Sequence, residues 1–418
     1  MSRTKIFFAS VGALLFVGGV VLGIVYIQTN RETDESVTQQ PRSSFQEPRQ
    51  ISNEASSVIP GGEEIYKASF VSPQTSDYYI AMVNADSSTD DWSYVTSLQA
   101  TAETGDLYDQ GAFCRLFTRP DGIGYDVTYG GGFGNYVRSY NGVIHRLLGD
   151  TLAFSGSPEP FEGAGGGDIG IDTDGESYFL LLGHPKGWSL KKYDLDYQLV
   201  DETVIELPEK HANNDMTLRY VNGYLMAADL YDPTYEPGEP PDMRADTFLH
   251  VWVYTTDLTY VDDVVLDDTS ITNGATIVYY EGTYAVVSAD HFQDSNLIAL
   301  LYDEDWNFLE KVDLQENAQW SMGGEYRDGF IYIAYHKGPH GHGDVYVDVY
   351  DPQWNLQETI EVTDVGEQTP ERAVFAQHPW IEFDGDRMFV IYTLGEELLD
   401  EDSLDLTLTC MLSVYEGK

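Results

Sequence analysis

The 418-residue chain carries 70 acidic and 22 basic side chains, a formal net charge of −48 and an isoelectric point near 4.1. Such a field repels nucleic acid and anionic membrane surfaces and leaves neutral or cationic partners. Acidity on this scale serves solubility first, and attraction of cations second. Hydrophobic content of 42% and 30 tyrosines are ample for a core of aromatic-rich strands. The two cysteines, Cys114 and Cys410, lie in strand-like runs far apart without CxxC spacing, which excludes a thiolate zinc site. They read as buried thiols or as a disulfide across the ends of the array.

Residues 6–27, IFFASVGALLFVGGVVLGIVYI, are 22 residues without a charge. At helical rise they span about 33 Å, enough to cross a bilayer core. Arg3 and Lys5 precede the run, while Arg31 is followed by Glu32, Asp34 and Glu35. The positive-inside bias puts the N-terminus in the cytoplasm and the rest outside. Residues 1–28 are expected to form an uncleaved signal anchor with one transmembrane helix, a cleaved signal peptide with secretion being the alternative. Residues 29–63, rich in Ser, Gln, Glu and Pro, read as a flexible linker.

Residues 64–418 are expected to form one domain. A tyrosine phrase recurs six times, at Tyr140-Asn141, Tyr193-Asp194, Tyr254-Thr255, Tyr302-Asp303, Tyr350-Asp351 and Tyr415-Glu416. Each copy follows a turn glycine (Gly122, Gly175, Gly223, Gly282, Gly329 or Gly385) by 18 to 31 residues. The unit is an apolar strand A, a tight turn, an apolar strand B, a variable connection, a strand C ending at the tyrosine, and a polar strand D. Strand pairs recurring every 48 to 65 residues predict an all-β propeller of six four-stranded blades. The last unit stops after its strand C, so WSYVTSLQATA (residues 92–102) is expected to supply its fourth strand and close the ring. DYYIAMVNAD (residues 78–87) leaves seven blades as the alternative. Over residues 90–418 the chain resembles β-propeller repeat proteins in architecture, with no family motif: Asp-box, WD and Kelch patterns are missing.

A–B and C–D turns share one end of such a blade; B–C and D–A connections share the other, and their lengths vary. Residues 229–246 and 394–405 read as long B–C loops on this variable face. Seven of nine histidines fall there: His184, His211, His291, His336, His340, His342 and His378. HKGPHGHGD offers His336, His340, His342 and Asp344 as ligands for a divalent metal ion, the only cofactor the sequence suggests. Trp188, His211, His291, Trp320, His378 and Trp380 are the candidates for ligand contact on this face. Carboxylates at the starts of A strands, Asp168, Asp215 and Glu325, form a second candidate set. Their arrangement is similar in outline to that of propeller glycosidases, which carry acidic groups on separate inner strands; the resemblance implies general acid–base cleavage of a glycosidic bond.

The sequence thus reads as a membrane-anchored, extracytoplasmic, monomeric propeller that binds a carbohydrate or a protein at the cell surface. Its membrane contact is the N-terminal helix alone. A propeller-type glycoside hydrolase is the alternative. Walker, GxSxG and HExxH signatures are lacking.

Overall fold

The computed structural model describes residues 83–418 except 85, 100–111, 120–123, 131–142, 149–153, 161–169, 185, 207–216, 235–246, 272–274, 291–295, 339–342, 367–371 and 401–402. The hydrophobic 6–27 run and the linker lie outside the described residues, within which no helix is long and apolar enough to cross a membrane.

The chain is all-β. It begins with β1 (Trp92–Gln99) and then lays down four-stranded antiparallel sheets one after another. The first is β2 (Ala112–Thr118), β3 (Gly124–Gly130), β4 (Val143–Leu148) and β5 (Phe154–Pro160). The second is β6 (Gly170–Thr173), β7 (Tyr178–His184), β8 (Gly187–Tyr193) and β9 (Leu199–Glu206). The third is β10 (Thr217–Val221), β11 (Tyr224–Tyr231), β12 (Thr247–Tyr254) and β13 (Tyr260–Ile271). The fourth is β14 (Thr276–Tyr280), β15 (Thr283–Ala289), β16 (Asn296–Asp303) and β17 (Phe308–Glu316). The fifth is β18 (Ala318–Arg327), β19 (Phe330–Lys337), β20 (Asp344–Tyr350) and β21 (Leu356–Glu361). These five blades each use consecutive strands. A further sheet joins β22 (Arg372–Asp384), β23 (Arg387–Asp400) and β24 (Ser403–Gly417) to β1, in the order β1-β24-β23-β22.

Two turn chemistries set this register. Asn222-Gly223, Glu281-Gly282 and Asp328-Gly329 all have positive φ at both positions, the two-residue hairpin whose twist suits paired strands. At the other turn of the blade the tyrosine phrase does its work. Asp303 Oδ1 accepts the amides of Asp305 and Asn307 at 3.0 and 2.9 Å, and Asp351 repeats this with Gln353 and Asn355. These donors, Asn307 and Asn355 foremost, hold both carboxyls below the usual range. Trp306 and Trp354 sit at φ 59° in the same turns. Trp306 stacks on Tyr284 at 4.6 Å, and Trp354 Nε1 donates to Tyr280 Oη of the preceding blade at 2.8 Å.

The core lies between blades. Leu249, Val251 and Val253 of the third pack with Ile277, Val286 and Ile298 of the fourth, and equivalent clusters fill the other described interfaces. Because both faces of B and C strands are covered, they read as continuous apolar runs instead of alternating ones. The outer strands β9, β13, β17 and β21 are mostly exposed. Their edges carry Asp201, Glu202, Asp262, Asp263, Glu310 and Glu358, charges that oppose strand-to-strand association.

Closure uses both termini. β1 runs antiparallel to β24, with Trp92 opposite Gly417 and Leu98 opposite Leu412. Cys114 of β2 is bonded to Cys410 of β24, with Cα atoms 6.0 Å apart and both residues fully buried, so the disulfide ties the first blade to the closing sheet. Val83 forms a single bridge to Thr363 at the end of the fifth blade. The described part of residues 78–87 makes this one bridge and contributes no strand, so it does not start a seventh blade. Residues 394–405 are also corrected: β23 and β24 pair through Leu399–Leu404 and Asp400–Ser403, so the described part of this acidic stretch is paired strand. His184 and His336 end strands β7 and β19 and do not lie in loops.

The covalent closure generates a prediction. Breaking a cross-link over a 296-residue separation removes up to roughly 5 kcal/mol of chain-entropy stabilisation. Cys410→Ser should lower the thermal midpoint by roughly 5–10 °C or more without changing the circular dichroism of the folded state. An unchanged midpoint would show that the bond adds nothing.

Candidate functional site in the central channel

Strand A of each blade faces the axis, and small residues let these strands approach. A Cβ on Gly323 would lie 2.7 Å from Ile381 N and 2.8 Å from Trp380 Cα, while one on Gly170 would lie 2.9 Å from Leu218 Cβ. The SMGGEY stretch is thus a point of backbone contact between β18 and β22.

Arg219 of β10 occupies the space so defined. Its Nε lies 3.2 Å from Asp172 Oδ2 of β6; one terminal nitrogen donates to Thr276 Oγ1 of β14 at 3.1 Å and the other to Gly324 O of β18 at 3.1 Å. The guanidinium carbon sits 4.5 Å from the ring centroid of Trp380 on β22. Arg115 of β2 lies over the same indole at 4.8 Å. One arginine, one tryptophan and a second arginine thereby connect all six inner strands. A planar five-donor fork is the side chain that can do this; an ammonium cannot.

On the A–B-turn side of this axle lie three carboxyl groups. Asp172, buried, accepts the amides of Tyr220 and Thr173, both at 2.8 Å. Burial pushes its carboxyl upward, against the pull of Arg219. Glu325 of β18 and Glu382 of β22 are half-buried. Desolvation raises Glu325 to about 7, opposed by Arg219 and Arg327 and reinforced by Asp172. Desolvation and the negative charge of Glu325 raise Glu382 to about 8, although Glu382 Oε1 accepts the Thr118 amide at 3.3 Å. Near neutral pH this pair retains protons that ordinary glutamates have lost. On the other side of the axle are His336 and His378, both about 1% exposed, with ring centroids 6.5 Å apart and edge-to-face. His378 sits at φ 52° where the β22–β23 register shifts between Gln377 and Trp380, a bulge that re-aims the side chain. Burial, His336 and Arg115 hold its imidazole well below the usual range, so it is neutral.

The residues expected from the sequence divide. Asp168, Asp215, His211, His291, His340 and His342 lie outside the described residues. Glu325 is the eighth residue of β18, next to the A–B hairpin, and so belongs to the opposite end from the strand starts. Trp188 is in the core with Leu181, Leu190 and Ile205, and Trp380 lies under two guanidinium groups at 3% exposure; neither offers a ring face to a sugar. Trp320 is placed on β18. The proposed ion ligands His336 and Asp344 do not converge. His336 pairs with Val345 and Lys337 with Asp344, so the two side chains leave opposite faces of the sheet. Asp344 Oδ1 instead accepts from Thr363 Oγ1 at 2.9 Å and the Val365 amide at 2.7 Å. Among the described residues no group of three metal-ligating side chains converges. Sequence reading missed Arg115, Asp172, Arg219 and Glu382; the usable signal was a charged residue inside an otherwise apolar A strand.

No protein-family model matches the chain, and no curated protein sequence matches it. In fold it is similar to a subtype N11 neuraminidase-like protein of A/flat-faced bat/Peru/033/2010 (H18N11), at a TM-score of 0.50 and 10% identity over 83% of this chain and 98% of that one. A subtype N10 neuraminidase-like protein of A/little yellow-shouldered bat/Guatemala/060/2010 aligns at a TM-score of 0.44 and 9% identity, over 78% of this chain and 99% of that one. At these identities the likeness is one of propeller architecture.

Arg219→Ala leaves Asp172 buried without its cation and should cost about 3–5 kcal/mol in urea unfolding. Arg219→Lys should recover less than half of that loss, because one ammonium cannot meet the carboxylate, hydroxyl and carbonyl together. A lysine variant as stable as the parent would contradict the axle.

Proposed function

We propose that this chain is a membrane-anchored, extracytoplasmic β-propeller that binds a ligand, a carbohydrate or a protein partner, on the face bearing its B–C and D–A connections. The observation that carries the reading is the inequality of the two ends. Among the described blades one end holds only tight turns, whereas the other runs from the single residue Asn317 between β17 and β18 to the 232–246 stretch between β11 and β12. A rigid scaffold with variable connections gathered at one end is where proteins place recognition. The net charge of −48 selects neutral or cationic ligands over polyanions. The Cys114–Cys410 bond supports an oxidising, extracytoplasmic setting, since such bonds persist there. The strand-closed ring and the charged outer edges support a monomer.

One observation favours a second reading, glycoside hydrolysis. Desolvation raises both Glu325 and Glu382, to about 7 and about 8, and a carboxyl held protonated near neutral pH is what the general acid of such a reaction requires, its neighbour serving as the base once ionised. In that reading the pair takes the place of Asp168 and Asp215 beside Glu325.

The full-length chain in detergent, applied to an array of neutral, amino-sugar, sulfated and sialylated glycans and to cell-surface proteins, discriminates these readings. Binding to neutral or cationic targets that disappears when residues 232–246 are replaced by a short Gly-Ser linker is the expected result. Binding that persists after this replacement, or that prefers sulfated glycans, would overturn the assignment. Glycoside turnover abolished in both Glu325→Gln and Glu382→Gln would establish the second reading.

A further inference from the structure

The channel carboxyls are arranged in a way that ligand binding at the far face does not explain. Glu325 and Glu382 belong to β18 and β22, the inner strands of the fifth and closing blades, whose backbones touch at Gly323 and Ile381. Glu325 is two residues beyond that contact and Glu382 one, so the two carboxyls flank the same interface. Each is half-buried; Arg219 and Arg327 pull the Glu325 carboxyl down but desolvation outweighs them, and their direct contacts go to Asp172, Thr276 and Gly324 and to Asp328 and the Gly385 carbonyl. Among the described residues Asp172 on β6 adds its negative charge to both carboxyls, and Asp384 at the end of β22 accepts from Tyr125 Oη of β3 at 2.7 Å and pairs in register with Arg387 of β23. Thr118 of β2 donates its amide to Glu382 at 3.3 Å. His378, on the other side of Trp380, is neutral and adds no charge.

We propose that Glu325 and Glu382 form a proton-operated latch between the fifth blade and the closing sheet: while the pair retains protons the two inner strands stay in contact, and when both carboxyls ionise their repulsion loosens this one interface of the ring. The position matters, because the loosened interface adjoins the sheet that the N-terminal strand completes. The sign follows from linkage. Both groups are raised above the ordinary glutamate value of 4.5, to about 7 and about 8. The folded state therefore binds protons that the unfolded state has released. The stabilisation is fully present below pH 4.5 and is lost as pH rises through 7 to 8. The general repulsion of a chain at −48 also grows with pH, but it acts on every blade and is screened by salt; the half-buried pair is screened less.

The test is amide hydrogen exchange on the full-length chain between pH 5.5 and 9, corrected for intrinsic exchange, together with thermal midpoints at low and high salt. The parent should show protection of β18 and β22 falling at least tenfold more than that of β10 and β14, with the midpoint dropping by several degrees at both salt concentrations. In Glu382→Gln, and independently in Glu325→Gln, the pH response of β18 and β22 should shrink to that of β10 and β14. A parent that loses protection evenly in all blades, or a glutamine variant that keeps the full localised response, overturns the latch. The parent measurement alone decides the matter if a variant does not fold.

Discussion

One guanidinium organises this ring. Arg219 meets a carboxylate, a hydroxyl, a carbonyl and an indole, each supplied by a different blade, and Arg115 adds the remaining blade through the same indole. Propeller blades otherwise touch only their neighbours, so an interaction shared by all of them converts a closed series of pairwise contacts into a unit. It also divides the axis. Acid groups collect on the side of the tight turns, and the buried His336 and His378 on the side of the variable connections.

Closure is secured three times, by strand pairing, by a disulfide and by the axle, and the half-buried glutamate pair lies at the interface beside the closing sheet. Desolvated carboxyls without a dedicated cation are destabilising unless protonated. Their placement at the interface beside the closing sheet, and not elsewhere in the ring, gives the latch its meaning. The −48 charge of the whole chain deepens the effect by making each further ionisation harder.

How much of this was legible in the sequence depends on the range of the interaction concerned. The turns were legible because their chemistry is local: Asp-Gly and Asn-Gly impose positive φ, and the tyrosine phrase carries an aspartate that caps its own turn. The completion of the closing sheet by residues 92–99 was legible too, because a missing fourth strand leaves an edge that some other segment must cover. The axle was not, since Arg219 reaches partners 47 to 161 positions away and sits in LRYVNGY, where it reads as one charge on an amphipathic strand. Asp172 was hidden inside a turn-like DTDGE, and Glu382 inside a strand-like IEFDGD. The histidine stretch misled for the opposite reason. HKGPHGHGD looks like one loop, yet β19 continues through His336 and Lys337, and strand alternation sends His336 and Asp344 to opposite faces. Acidity misled in the same way at 394–405, where hairpin pairing of β23 with β24 overrides a polar local pattern.

The behaviour of the ring with pH depends most directly on the protonation of two side chains, Glu325 and Glu382. A carbon-13 NMR titration of the glutamate carboxyls, assigned with the Glu325→Gln and Glu382→Gln variants, measures it. Two carboxyl resonances titrating together between about pH 6.5 and 8.5, each altered when the other residue is replaced, is the predicted result. All glutamates titrating near 4.5 would contradict it.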